Sequence, residues 1–176
     1  MPDPAAMDAI EEHFGIDLET RQLTDEMPAP ARLTRAQRLG ESCVWCAIGA
    51  AASGGMVPLA FVGDRRPSAC LRCWEIRLTA LRTYLAWSAH TDTCWICSTS
   101  RCAKARPLAE AHDAARAAVT TRPPHCPDCE GVAMIADQHV VPHIRETATV
   151  PVRAYTHTGL CGRPPGTGSP RALRSV

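Results

Sequence analysis

Four pairs of cysteines, each separated by two residues, punctuate this chain: Cys43/Cys46, Cys70/Cys73, Cys94/Cys97 and Cys126/Cys129. Two intervening residues let both sulfurs turn back onto one tetrahedral ion, each about 2.3 Å from it. A single such pair also suits redox chemistry, but four pairs and two further cysteines in 176 residues point to metal. By spacing, the first ligand set is Cys43, Cys46, Cys70 and Cys73, with 23 residues between the pairs. The second contains Cys94, Cys97 and Cys102 and needs a fourth donor. His90 completes it as H-x3-C-x2-C-x4-C, and His112 on the next predicted helix is the other candidate; the shorter loop favours His90. The third set is Cys126, Cys129, His157 and Cys161, spaced C-x2-C-x27-H-x3-C. Ten cysteines and two histidines thus fill three tetrahedral sites with nothing left over. Pairing the four C-x-x-C units crosswise is the alternative, and it strands Cys102 and Cys161. Closed, cysteine-rich shells imply structural Zn2+, about three ions per chain, because a catalytic zinc keeps one position open for water.

A chain of this composition needs such staples. The apolar fraction is 45%, but 28 residues are alanine. Leu, Ile, Val and Phe make up only about 18% of the chain, below the ~20% at which sequences begin to look disordered. A core that thin is usually reinforced by disulfides or metals. The first residues, MPDPAAMDAIEEHFG, carry no basic stretch followed by an apolar one, so no secretory leader is expected. No run approaches the ~18 apolar residues of a membrane span. The expected setting is cytoplasmic, without a membrane partner, where cysteine pairs bind metal rather than oxidise.

The elements that must position these ligands can be read from periodicity. Asp3-Pro4 opens a helix with Met7, Ile10 and Phe14 on one face, followed by a proline-bearing linker at Met27–Pro30. A short helix follows Thr34. Val57–Val62 reads as a strand and Asp64–Pro67 as a turn. Trp74, Leu78, Leu81 and Leu85 define one face of a helix that begins near Cys73. Pro107 opens another, with Leu108, Ala111, Ala115 and Val119 sharing a face. Beyond Pro123-Pro124, the runs VAMIAD, QHVVPHI and TVPVRAYTH predict three short strands, and the end of the chain reads as a disordered tail. The expected organisation is an acidic helical segment and linker over 1–40, a two-zinc helical module over 41–122, a β module over 123–161 and a tail over 162–176. The fold class is a small metal-stabilised α+β protein built from serial zinc modules.

Several resemblances attach to these motifs. A cysteine knuckle, a strand region and two ligands at a helix start resemble a treble-clef finger in the first set. Strands between ligand knuckles resemble a zinc ribbon in the third. His90, Cys94 and Cys97, preceded by helix, resemble the signature of zinc-binding anti-sigma factors, although those place a further ligand on a preceding helix where this chain offers Cys102 afterwards. His139-Val140-Val141-Pro142, downstream of a C-x-x-C, is similar to the D-H-x-x-P stretch of HNH nucleases. Gln138 replaces that family's aspartate, Asp137 is displaced by one, and the later Asn and His are not evident. The run from Cys43 to Cys102 resembles cysteine-rich zinc-finger-like proteins of actinomycetes, which implies serial zinc modules and no activity.

Charge narrows the functions. The formal net charge is +1. One four-cysteine zinc contributes −2 and each three-cysteine, one-histidine zinc −1, which takes that +1 to −3. Bulk charge therefore does not drive non-specific DNA binding. Locally, residues 43–122 carry five acids and ten bases, and Arg65, Arg66, Arg72, Arg77 and Arg82 gather around the first ligand set. No nucleophile triad or phosphate-binding glycine loop is present, and no small-molecule substrate is inferred. The expectation is a non-enzymatic zinc-finger protein that binds nucleic acid or a regulatory protein, in transcriptional regulation. The alternatives are a nuclease centred on His139 and an anti-sigma-like regulator. His139 and His143 share a strand face with Val141, which predicts partly exposed histidines.

Overall fold

A computed structural model describes residues 18–24, 26–59, 66–146 and 151–158. The expected Met7–Phe14 helix, the ligand Cys161, residues 60–62 of the expected Val57–Val62 strand, Asp64 and Arg65 of the Asp64–Pro67 turn and the C-terminal tail lie outside the described residues. The described elements are a mixture of helices and two-stranded sheets: α1 (Leu18–Thr24), α2 (Arg35–Arg38), β1 (Met56–Pro58), β2 (Ser68–Cys70), α3 (Leu71–Thr93), α4 (Ala105–Ala117), β3 (Val140–Glu146) and β4 (Pro151–His157). Short 3-10 turns cover Pro30–Arg32, Ala50–Ala52 and Trp95–Ser98. No described helix is long and apolar enough to cross a membrane.

By internal contacts the chain divides into two units, residues 1–85 with 114–120 and residues 86–113 with 121–176. The division falls inside α3, whereas the sequence places a boundary at Pro123-Pro124.

In the first unit, Thr34 caps α2. Its hydroxyl accepts from the Gln37 amide while the Gln37 side chain accepts from the Thr34 amide, a reciprocal capping box. Buried Gln37 then donates to the carbonyls of Cys43 and Val44, both at 3.1 Å. The helix is left through Gly40, at φ +74°, where a Cβ would collide with the Arg66 carbonyl oxygen. β1 and β2 pair antiparallel, Met56 opposite Cys70, and β2 runs directly into α3. The predicted α3 face holds: Leu78 and Leu81 are buried with Leu23, and Trp45, Trp74 and Leu85 pack on them. A second cluster joins Leu33, Val44, Leu59 and Ala69 to Cys43 and Cys70, so the ligand sulfurs are themselves core residues.

In the second unit, β3 and β4 form a seven-residue antiparallel hairpin with Val140 opposite His157. The core gathers Trp87, Ala105, Ala109, Ala133, Ile135 and Val140 around Cys97 and Cys126. Arg101 holds the approach to β3: its backbone N–H donates to the Gln138 carbonyl at 2.8 Å. Its guanidinium reaches the carbonyls of Ile135, Asp137 and Val140 while lying 5.1 Å above the Trp87 ring.

Two local expectations change here. VAMIAD is not a strand: Val132 pairs only with His125 in an isolated bridge, and the Asp137 amide turns back to Met134. Ala133 and Ile135 supply the β-like alternation by being buried from a turn. The α4 face is also rotated. Its buried residues are Ala105, Ala109 and His112, while Ala111 is exposed. A row of alanines is nearly featureless, and the polar but buried His112 sets the orientation.

Candidate metal centres

The first and third cysteine turns are the same local structure. In each, the residue four after the first cysteine donates its amide to that cysteine's carbonyl (Ala47 to Cys43, 2.9 Å; Glu130 to Cys126, 2.8 Å). The first cysteine's own amide donates to the next carbonyl along (Cys43 to Ile48, 2.9 Å; Cys126 to Gly131, 2.8 Å). One antiparallel bridge closes each turn, Ser42 with Gly49 and His125 with Val132. The fold-back demands a left-handed residue, and Ala47 and Glu130 both sit at φ +60° although neither is glycine. This geometry brings two sulfurs of a C-x-x-C unit onto one point and leaves amides directed at them.

Tertiary structure supplies the other ligands. Cys43, Cys46, Cys70 and Cys73 come together with all four sulfurs within 4.8 Å of one another. So do the donor atoms of His90, Cys94, Cys97 and Cys102, and those of Cys126, Cys129 and His157. The grouping is serial, not crosswise. Each of these groups can hold a metal ion. Sulfurs about 2.3 Å from a tetrahedral centre lie about 3.8 Å apart. Cys46 and Cys70 are 3.7 Å apart, and Cys94 and Cys102 are 3.8 Å apart. Disulfide sulfurs would stand at about 2.05 Å. The histidines complete the picture: His90 Nε2 lies 3.0 Å from Cys102 Sγ and His157 Nδ1 lies 3.4 Å from Cys129 Sγ.

His112 is elsewhere. It is buried, its Nε2 lies 2.6 Å from the Tyr155 hydroxyl, and its ring neighbours Trp87 at 6.0 Å between centroids. His139 and His143 are exposed and belong to no group of three or more potential ligands among the described residues. His139 instead anchors its loop, its amide donating to Asp137 Oδ1 at 2.9 Å.

Electrostatics within the clusters favour a cation. Burial raises the Cys43 thiol, yet the amides of Cys70, Cys46 and Trp45 outweigh it and bring the pKa down to about 7. At Cys102 desolvation again works upward, but the Ala105 amide at the head of α4, the His90 ring and the Cys97 and Cys94 sulfurs draw the thiol down to about 6. Burial pushes Cys97 up to about 11, with the Cys102 and Cys94 sulfurs adding to it. Cys73 is raised in the same way, by burial and by the sulfurs of Cys70 and Cys46. Neighbouring thiolates repel, so one ionises while the next holds its proton. A divalent ion removes that conflict.

Spacing alone did not single out Arg77 as part of the first centre. It stacks 4.4 Å above Trp45, sits 3.9 Å from Glu26, and faces the field of Cys73 and Cys43. Its place four residues after Cys73, on the same helix face, was the available signal. Arg82 forms a two-pronged pair with Glu19 at 2.8 and 2.7 Å. Two of the five arginines assigned to a basic surface are therefore paired with acids of the same unit, and Arg66 and Arg72 are exposed. Compared with family models, with curated proteins and with solved structures, the chain has no match.

Proposed function

We propose that this chain is a non-enzymatic zinc protein in which three structural ions organise a surface for binding a macromolecule. The observation that carries the reading is the convergence of three separate Cys/His donor groups, each within 4.8 Å. Zinc is the metal that cysteine-rich tetrahedral sites of this spacing favour. The first two groups supply four protein donors each, which leaves no position for a reactive water. The knuckle, hairpin and helix of the first unit make a treble-clef-like finger, and the knuckle and hairpin of the second a ribbon-like one. For the third centre the sequence offers Cys161, four residues beyond His157, as the fourth ligand. Small cores arranged around ions, with exposed residues on the ligand turns, suit recognition rather than turnover.

Elemental analysis of protein purified without added metal tests the reading directly. About three zinc ions per chain are expected, and chelation should unfold the protein, since each site contributes an apparent ~10–16 kcal/mol in finger peptides. Iron in the sites, or a fold indifferent to chelation, would overturn it.

A further inference from the structure

Three of the four tryptophans pack into cores: Trp45 and Trp74 against the first ligand set and Trp87 in the second unit. Trp95 does not. It lies between the ligands Cys94 and Cys97 and is 84% exposed, beside Ile96 at 40%. The corresponding residues of the first knuckle include Trp45, which is covered by Arg77, so an aromatic residue inside a C-x-x-C turn is not obliged to face solvent.

The turn that displays Trp95 is rigidly held. The Cys97 amide donates to the Cys94 carbonyl at 3.0 Å, and the Ser98 hydroxyl donates to the Trp95 carbonyl at 2.7 Å. The Thr158 hydroxyl pins the Thr99 carbonyl at 2.8 Å. Exposure of the indole is thus fixed by the backbone around the metal ligands.

From Thr93 to Ala109 the chain carries Arg101, Lys104 and Arg106, with Asp92 and Glu110 flanking the stretch. Arg101 is engaged with backbone carbonyls, while Lys104 and Arg106 are exposed. Lys104 follows two residues after Cys102, whose sulfur lies 3.8 Å from that of Cys94 at the foot of the Trp95 turn. An exposed flat aromatic beside cations on a rigid turn is the chemistry that stacks a base and holds its phosphates. A protein partner would be served by the apolar pair alone; the exposed Lys104 and Arg106 distinguish the polyanion.

Resting on the macromolecule-binding reading above, we infer that the Cys94–Cys97 turn is a stacking platform for single-stranded nucleic acid, with a base on Trp95 and phosphates on Lys104 and Arg106. Zinc-loaded full-length protein is titrated with fluorescein-labelled twelve-nucleotide U and dT strands and with a duplex of equal length. Single strands should bind more tightly than the duplex. Trp95→Ala should weaken binding on the order of tenfold to a hundredfold, and Trp95→Phe should retain most of it. Lys104→Gln should lower the slope of log affinity against log salt by about 0.7. Lys104 is the chain's sole lysine, so its protection from amine-reactive reagents by the bound strand reads the contact independently. Zinc content and circular dichroism of each variant verify its fold. A folded Trp95→Ala protein that binds strands like the parent overturns the platform while leaving the macromolecule reading intact. So does a Trp95-dependent dimer in sedimentation with no strand bound. A parent protein that holds no zinc overturns the earlier reading before any oligonucleotide is added.

Discussion

At the scale of single residues, the ligands and their neighbours differ sharply in what they contribute. Cys73 closes the first group at the start of α3, whereas His143 is an exposed strand residue. Cys73→Ser should cost more than about 4 kcal/mol, the range reserved for loss of a metal site, and remove one zinc. His143→Ala should stay within about 0.5 kcal/mol. Thermal unfolding with metal analysis compares the two, and equal losses would give His143 a role the geometry does not show. Protons carry a second signature. Cys97 and Cys73 are raised, so in zinc-free protein at neutral pH they hold protons that the incoming ion must displace. Zinc uptake in weak buffer should therefore release protons at pH 7.5, and the share from Cys97, raised to about 11, should persist at pH 9. Affinity should fall as pH falls, because protons then compete for every sulfur. A pH indicator read during zinc titration decides it.

At the scale of elements, the two knuckles and the α2 cap show how backbone geometry sets the ligands. Ala47 and Glu130 are exposed and left-handed. Glycine removes the strain of about 1 kcal/mol or more at such a position and costs somewhat less in chain entropy. Ala47→Gly and Glu130→Gly should each stabilise by about 0.5 kcal/mol, seen as a small rise in thermal midpoint. Gln37→Leu should do the reverse. It strands the Cys43 and Val44 carbonyls, which are buried with their residues. The expected cost is about 1–3 kcal/mol, measurable by denaturant unfolding of the zinc-loaded protein. The short helix after Thr34 was legible in the sequence, and so was the α3 face. The α4 face was not, because an alanine-rich helix offers little contrast from which to read its buried side.

At the scale of the whole molecule, the ligand cysteines stand in for part of a conventional apolar interior. The second unit's core joins Cys97 of the second ligand group to Cys126 of the third. Cys97→Ser should therefore weaken retention of zinc at both, and elemental analysis after mild chelation should find more than one equivalent lost. His139 lies in no ligand group among the described residues, so DNA incubated with the protein and magnesium or manganese should remain intact. Cleavage that disappears in His139→Ala would instead establish the nuclease reading and remove the non-enzymatic one.

Chain-local geometry is what the sequence determined. A C-x-x-C unit fixes two sulfurs near one point whatever surrounds it, so the four pairs can be read from residues a few positions apart. Tertiary structure groups His90, which the shorter loop already favoured, with Cys94, Cys97 and Cys102. His90 and His112 are both within reach by spacing, but His112 is drawn into the core by Tyr155, 43 residues away. It also decided that Arg82 answers Glu19, 63 residues away, and that Trp45 is covered while Trp95 is not. Each of these outcomes depends on which distant surfaces pack together. Burial and pairing are properties of that packing, and no short stretch of sequence contains them.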